Sequence, residues 1–219
     1  MALKEENKLL QEGNKALQEK DYKKAEELFI QSSEMGCYFA TYNLGCMYYF
    51  GDGVEKNLEK SFNYFLKASS QGDAEATNRI GVMYEQGIGV KKDVEKAFKY
   101  YYSSANMNSL SGMANLGKCY LEGNGVEENI GLGLEWLNTS SERGNGVAST
   151  ELAYFYTHGK YVEQNYETAR KYLERGMDQK YSEAVLELAR FYKEGLGVEI
   201  NLEKAKKLEE LAPNIFVED

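Results

Sequence analysis

Small and apolar residues fall on a helical stripe that returns every 36 positions. Leu44, Gly45 and Tyr48 are followed by Ile80, Gly81 and Tyr84, then by Leu116, Gly117 and Tyr120. Leu152, Ala153 and Tyr156 come next, then Leu188, Ala189 and Tyr192. A small residue precedes each set, at Ala40, Ala76, Gly112, Ala148 and Ala184. Offsets of three, four and seven put these side chains on one face of a helix. A second stripe in each period carries Tyr64, Tyr100, Trp136, Tyr172 and Leu208, with small residues at Ala68, Ser104, Ser140, Gly176 and Ala212. Each period therefore predicts two helices. The small positions let them approach, and the large ones fill the space, each buried Leu contributing about 1.5–3 kcal/mol.

The loop between the stripes also repeats. It reads Gly51-Asp52-Gly53-Val54, Gly87-Ile88-Gly89-Val90, Gly123-Asn124-Gly125-Val126, Gly159-Lys160-Tyr161-Val162 and Gly195-Leu196-Gly197-Val198. The first glycine suits a left-handed helix cap, and the second suits another positive φ. Tyr161 departs from that pattern, so the fourth loop is expected to differ locally. Asn57, Asp93, Asn129, Asn165 and Asn201 stand where a helix N-cap belongs. Gly131 and Gly133 inside the predicted helix 130–141 each cost about 1 kcal/mol and mark it as the softest of the array. Residues 1–36 form a shorter first unit. Gly13 precedes Gly45 by only 32 positions, four fewer than the period, which shortens the inter-helix loop. The tail after Pro213 is expected to fray or to pack briefly as an end cap.

The unit small-x-x-x-Leu-Gly-x-x-Tyr-x-x-Gly-x-Gly-Val-x-x-Asp/Asn-x-x-x-Ala resembles the Sel-1-like repeat, a tetratricopeptide-repeat variant with a longer inter-helix loop. The likeness runs from residue 39 to about 212, and residues 1–36 resemble a plain tetratricopeptide unit. The resemblance implies an all-α, right-handed superhelical solenoid of about six antiparallel helix pairs. It would be a single domain over 1–219, with units at 1–36, 37–74, 75–110, 111–146, 147–182 and 183–219. It also implies a non-catalytic scaffold or adaptor that binds a peptide or protein on a concave face lined by the first helix of each pair.

If Leu44, Gly45 and Tyr48 face the neighbouring helix, Tyr42, Cys46, Tyr49 and Phe50 share a different stripe. Its equivalents are Asn78, Val82, Glu85 and Gln86, then Lys118, Leu121 and Glu122, then Tyr154 and His158, then Arg190, Lys193 and Glu194. These positions change from unit to unit while the packing positions repeat, as a partner-specific surface would. Exposed aromatics such as Tyr49 and Phe50 suit anchoring. A narrower reading is a carboxylate clamp for acidic C-terminal peptides, of the kind found in co-chaperone tetratricopeptide domains. Asn14, Asn43 and Arg79 match three of its positions, but Leu10 and Glu75 stand where that pattern has Lys.

Composition narrows the partner. The net charge of −9 disfavours a nucleic-acid backbone or an anionic membrane. Cys37, Cys46 and Cys119 have no disulfide or zinc spacing, and the start MALKEENK lacks an apolar signal core. A cytoplasmic protein is expected, with export by a signal-less route left open. The Gly-x-Gly loops follow helices and recur with the period, so they read as turns and not as phosphate cradles. A hydrolase working in the groove would need clustered titratable groups, and His158 is the sole histidine. No cofactor, metal or catalytic residue is expected. Incompletely capped ends could pair two copies into a homodimer.

Overall fold

The computed structural model describes residues 2–214. Twelve α-helices occur among them: α1 (Ala2–Gln18), α2 (Tyr22–Glu34), α3 (Tyr38–Phe50), α4 (Leu58–Ser70), α5 (Ala74–Gln86), α6 (Val94–Asn106), α7 (Leu110–Glu122), α8 (Ile130–Glu142), α9 (Gly146–His158), α10 (Tyr166–Asp178), α11 (Ser182–Glu194) and α12 (Leu202–Leu211). A 3₁₀ turn, Ala212–Asn214, follows. No strand is present among the described residues, and the fold is an all-α solenoid of six helix pairs. The end-cap expectation for the tail falls mostly on 215–219, outside the described residues. The chain divides into two compact units, Met1–Gly112 and Met113–Asp219.

Polar side chains set the helix starts. Asn57, Asp93, Asn129, Asn165 and Asn201 each accept the backbone N–H three residues on, satisfying one of the orphan donors of the first turn. Each also returns its own N–H to a tyrosine carbonyl of the preceding helix, at 2.8–2.9 Å. The helix ends follow the glycines. Gly51, Gly87, Gly159 and Gly195 cap α3, α5, α9 and α11 in the left-handed conformation.

The fourth loop corrects a sequence expectation. Tyr161 adopts φ +63°, beside +70° at Gly53, +68° at Gly89, +74° at Gly125 and +64° at Gly197. The loop keeps the common shape, and the tyrosine bears the strain. Its ring sits edge-on to Phe155 at 5.1 Å, a contact that offsets part of the strain.

In the first unit, Ala25, Phe29, Ala40, Leu44 and Met47 form one core, and Phe62, Phe65, Ala76, Ile80 and Met83 form the next. Phe29 faces Gly13, Phe65 faces Gly45 and Tyr101 faces Gly81, each ring lying where a glycine Cβ would have to be. The short α1–α2 connection therefore leaves the packing unchanged. In the second unit, Leu137, Ala148, Leu152 and Phe155 form one core, and Ala169, Leu173, Leu188 and Phe191 another. Stacked rings run alongside at Tyr48–Tyr64, Tyr84–Tyr100 and Tyr156–Tyr172, 5.6–5.7 Å apart. Gly133 has a packing reason beyond its helix penalty. A Cβ there would stand 2.6 Å from Leu121 and 2.8 Å from the Gly117 carbonyl.

Buried hydroxyls stitch successive helix pairs. Ser33 meets Thr41 at 2.8 Å, Ser69 meets Thr77 at 2.7 Å, and Ser141 meets Ser149 at 2.8 Å. Gln71 and Gln179 extend the first and third of these by accepting from Thr41 and Ser149.

Candidate functional site

The first helices of each pair carry the candidate residues, and each compact unit has its own cleft. In the first unit, Cys46, Tyr49, Phe50, Arg79 and Val82 line a shallow apolar cleft floored by Phe65 and Met83. Tyr49 and Phe50 meet edge to face at 5.0 Å, and Phe50 is exposed. The Tyr42 hydroxyl accepts from Arg79 Nε at 3.4 Å. Burial pushes the Tyr42 phenol up to about 12 and raises the Cys46 thiol as well, which disfavours the reactive thiolate form.

The stripe is not uniformly open, and two placements differ from the sequence reading. Asn78 is buried, 3% exposed, and its amide donates to Glu75 at 3.4 Å. Tyr42, one period earlier, is long enough to pass Phe65 and reach the surface; Asn78 is not. Leu121 is buried at 1%, because Gly133 leaves a space on α8 that Leu121 enters. Glu85 lines neither cleft; it is half-buried and accepts the Tyr101 hydroxyl at 2.9 Å. Asn14 and Asn43 are bonded to each other, Nδ2 of Asn43 donating at 3.0 Å. Arg79 also lies 3.8 Å from Glu75.

The second unit holds the larger groove, a cavity of about 490 Å³ between α9 and α11. It falls within the roughly 300–1,000 Å³ of typical ligand clefts. Ala153, Leu173 and Phe191 give it an apolar floor, and Val147 and Tyr154 give it exposed apolar walls. The Tyr154 and His158 rings lie tilted against each other at 4.2 Å, and the His158 ring nitrogen Nδ1 bonds the Tyr154 carbonyl oxygen. Lys118, Tyr154 and Arg190, expected from the sequence to share a face, all line this groove.

The carboxylates of the groove were missed by sequence reasoning. Glu151 lies 3.0 Å from Lys118 Nζ, and Glu187 lies 2.8 Å from Arg190 Nη2, with Glu194 on the same guanidinium at 3.4 Å. Burial raises the Glu151 carboxyl above its ordinary range, and Lys118 opposes that rise. Glu183 accepts the Tyr181 hydroxyl at 2.9 Å. One signal could have found two of them: Glu151 and Glu187 hold the position of Asn43 and Arg79 in later periods.

Cys37 and Cys119 are buried, and none of the three cysteines is in a disulfide. Among the described residues, no three His, Cys, Asp or Glu side chains gather into a group able to hold a metal ion. No described helix is long and apolar enough to cross a membrane.

Comparison with known proteins agrees with this geometry. The family model of the Sel1 repeat matches residues 8–37, 39–73, 74–109, 110–145, 147–181 and 182–212. It includes the short first unit that reads in sequence as a plain tetratricopeptide repeat. A Sel1 repeat protein from Oxalobacter formigenes is similar in structure, with a TM-score of 0.82 and 26% identity over 94% of this chain and 84% of that one. c5321, a protective antigen of uropathogenic Escherichia coli with an SLR fold, gives 0.76 and 28% over 96% of this chain and 46% of its own. The immunity protein Pa5087 of Pseudomonas aeruginosa, at 24% identity and a TM-score of 0.63 over 89% of this chain and 73% of that one, shares the fold. No curated protein sequence matches the chain.

Proposed function

Because the chain belongs to the Sel1 repeat family, whose members are generally protein-interaction scaffolds, we propose that it is a non-catalytic adaptor holding a peptide or protein segment against its first helices. One observation carries this reading. The positions that repeat, such as Leu44, Ile80, Leu116, Leu152 and Leu188, are buried, whereas both clefts are lined largely by positions that change. Cys46, Val82, Lys118, Tyr154 and Arg190 share one register, and each lines a cleft. A scaffold that repeats and a lining that varies suit selection of one partner.

The carboxylate-clamp alternative has less support. Asn43 donates to Asn14, and Arg79 is engaged by Tyr42 and Glu75, so an incoming carboxylate would meet an acid beside its one cation. A hydrolase is no better supported: burial chiefly accounts for the raised Glu151 carboxyl, and the paired Lys118 works against that rise. Three cysteines outside any disulfide fit a reducing compartment such as the cytoplasm.

The test is site-specific photocrosslinking in the source cells, with benzoylphenylalanine at position 154 and, as a control, at the exposed position 171. A discrete protein adduct at 154 and none at 171 is the expected result. Equal labelling at both sites, or none at 154, would remove the first-helix face as the binding surface.

A further inference from the structure

The α9–α11 groove has an uneven charge balance. Glu151, Glu183 and Glu187 line it against Lys118 and Arg190. Both cations are already committed, Lys118 to Glu151 and Arg190 to Glu187 and Glu194. Glu183 stands apart. It is exposed at the start of α11, and among the described residues its partner is a neutral donor, the Tyr181 hydroxyl. An anionic ligand would meet cations whose charge Glu151, Glu187 and Glu194 already balance, with those carboxylates at its side. A cationic group would meet a carboxylate with acceptor capacity to spare. The apolar side of the same groove is equally specific. Val147 and Tyr154 are exposed at 44% and 50%, beside a floor of Leu173 and Phe191.

We propose that this groove receives an extended peptide segment anchored by a lysine or arginine side chain on Glu183, with an aliphatic or aromatic neighbour lying across Val147 and Tyr154. The acidic excess of the whole chain, −9, favours the approach of such a basic segment. The proposal rests on the scaffold reading above and assigns its partner a chemistry.

The full chain is panned against a random dodecapeptide display library. In parallel it is panned as Glu183→Gln and as Tyr154→Ala, both exposed positions whose replacement leaves the core intact. The expected result is a motif with Lys or Arg beside an apolar residue. The selected peptide should lose about tenfold in affinity on Glu183→Gln, the loss of one charge-assisted hydrogen bond. It should also bind more weakly as salt rises. A selected motif without a basic residue that still depends on Tyr154 would overturn the basic anchor and leave the scaffold reading standing. A basic motif indifferent to Glu183→Gln would also overturn it. Failure of any motif to enrich would count against both.

Discussion

Phe65 occupies the space that a side chain on Gly45 would need: a Cβ there would stand 2.6 Å from the ring edge. The same relation holds for Gly13 with Phe29 and Gly81 with Tyr101. At the equivalent place in the second unit, Ala153 shares its core with Leu173, a smaller side chain. Gly13, Gly45 and Gly81 thus each face a ring, and Ala153 accompanies leucine; Gly117 departs from the rule, because a Cβ there would meet Leu137 and the Gly133 carbonyl.

Gly45→Ala should destabilise the protein even though alanine is the better helix former. Overpacking costs about 1–3 kcal/mol, against roughly 1 kcal/mol of gained propensity. The double variant Gly45→Ala/Phe65→Leu should recover part of the loss. Urea denaturation of the four members of this cycle measures the coupling; additive effects would refute the ring-and-glycine account.

Tyr161 offers a second contrast. Tyr161→Ala loses the ring contact with Phe155 and keeps the left-handed backbone. Tyr161→Gly loses the ring but relieves about 1–2 kcal/mol of strain, part of it returned as unfolded-state entropy. The glycine variant should therefore be more stable than the alanine variant by about 1 kcal/mol. Thermal melts of the two proteins decide it, and the reverse order would mean that the loop has rearranged.

Glu151 gives stability a pH dependence. Burial raises its folded-state carboxyl above the ordinary 4.5, so the unfolded chain loses that proton more readily. The group therefore costs stability above its folded-state titration. The cost fades as pH falls through that titration towards 4.5. Glu151→Gln should melt higher than the wild type at pH 7.5, with the gap narrowing near pH 4.5. A gap that widens on acidification would show that the Lys118 pair dominates instead.

N-cap loss should be local and moderate. Asn165→Ala removes the bond to the Thr168 N–H and should cost about 1 kcal/mol. Amide exchange in the first turn of α10 should rise accordingly, and Asn165→Asp should restore protection.

The period made most of the fold legible. Small, apolar, glycine and asparagine positions each have one structural task, and five copies expose the task by repetition. The site was legible only where side chains are long or charged. Lys118, Tyr154 and Arg190 reach the groove, whereas Asn78 is too short to leave the interior and Leu121 fills the hollow left by Gly133. Glu151, Glu183 and Glu187 were hidden among 35 acidic residues that look alike in sequence. What separates them is a groove built from residues 30–40 positions apart. The buried hydroxyl pairs were invisible for a similar reason, since serine and threonine also suit a solvated helix.

Those hydroxyl pairs set a grammar for editing the array. Excising 39–74 would bring Ser33 to the place that Ser69 holds opposite Thr77, and a bonded pair would re-form at the join. Excising 147–182 would leave Ser141 facing Val185, with Ser149, Arg175 and Gln179 all gone. That buried hydroxyl would lose every side-chain partner, at about 1–3 kcal/mol. Copies that look interchangeable by period are thus not equally removable: taking out a whole module costs less at the first of these places than at the second.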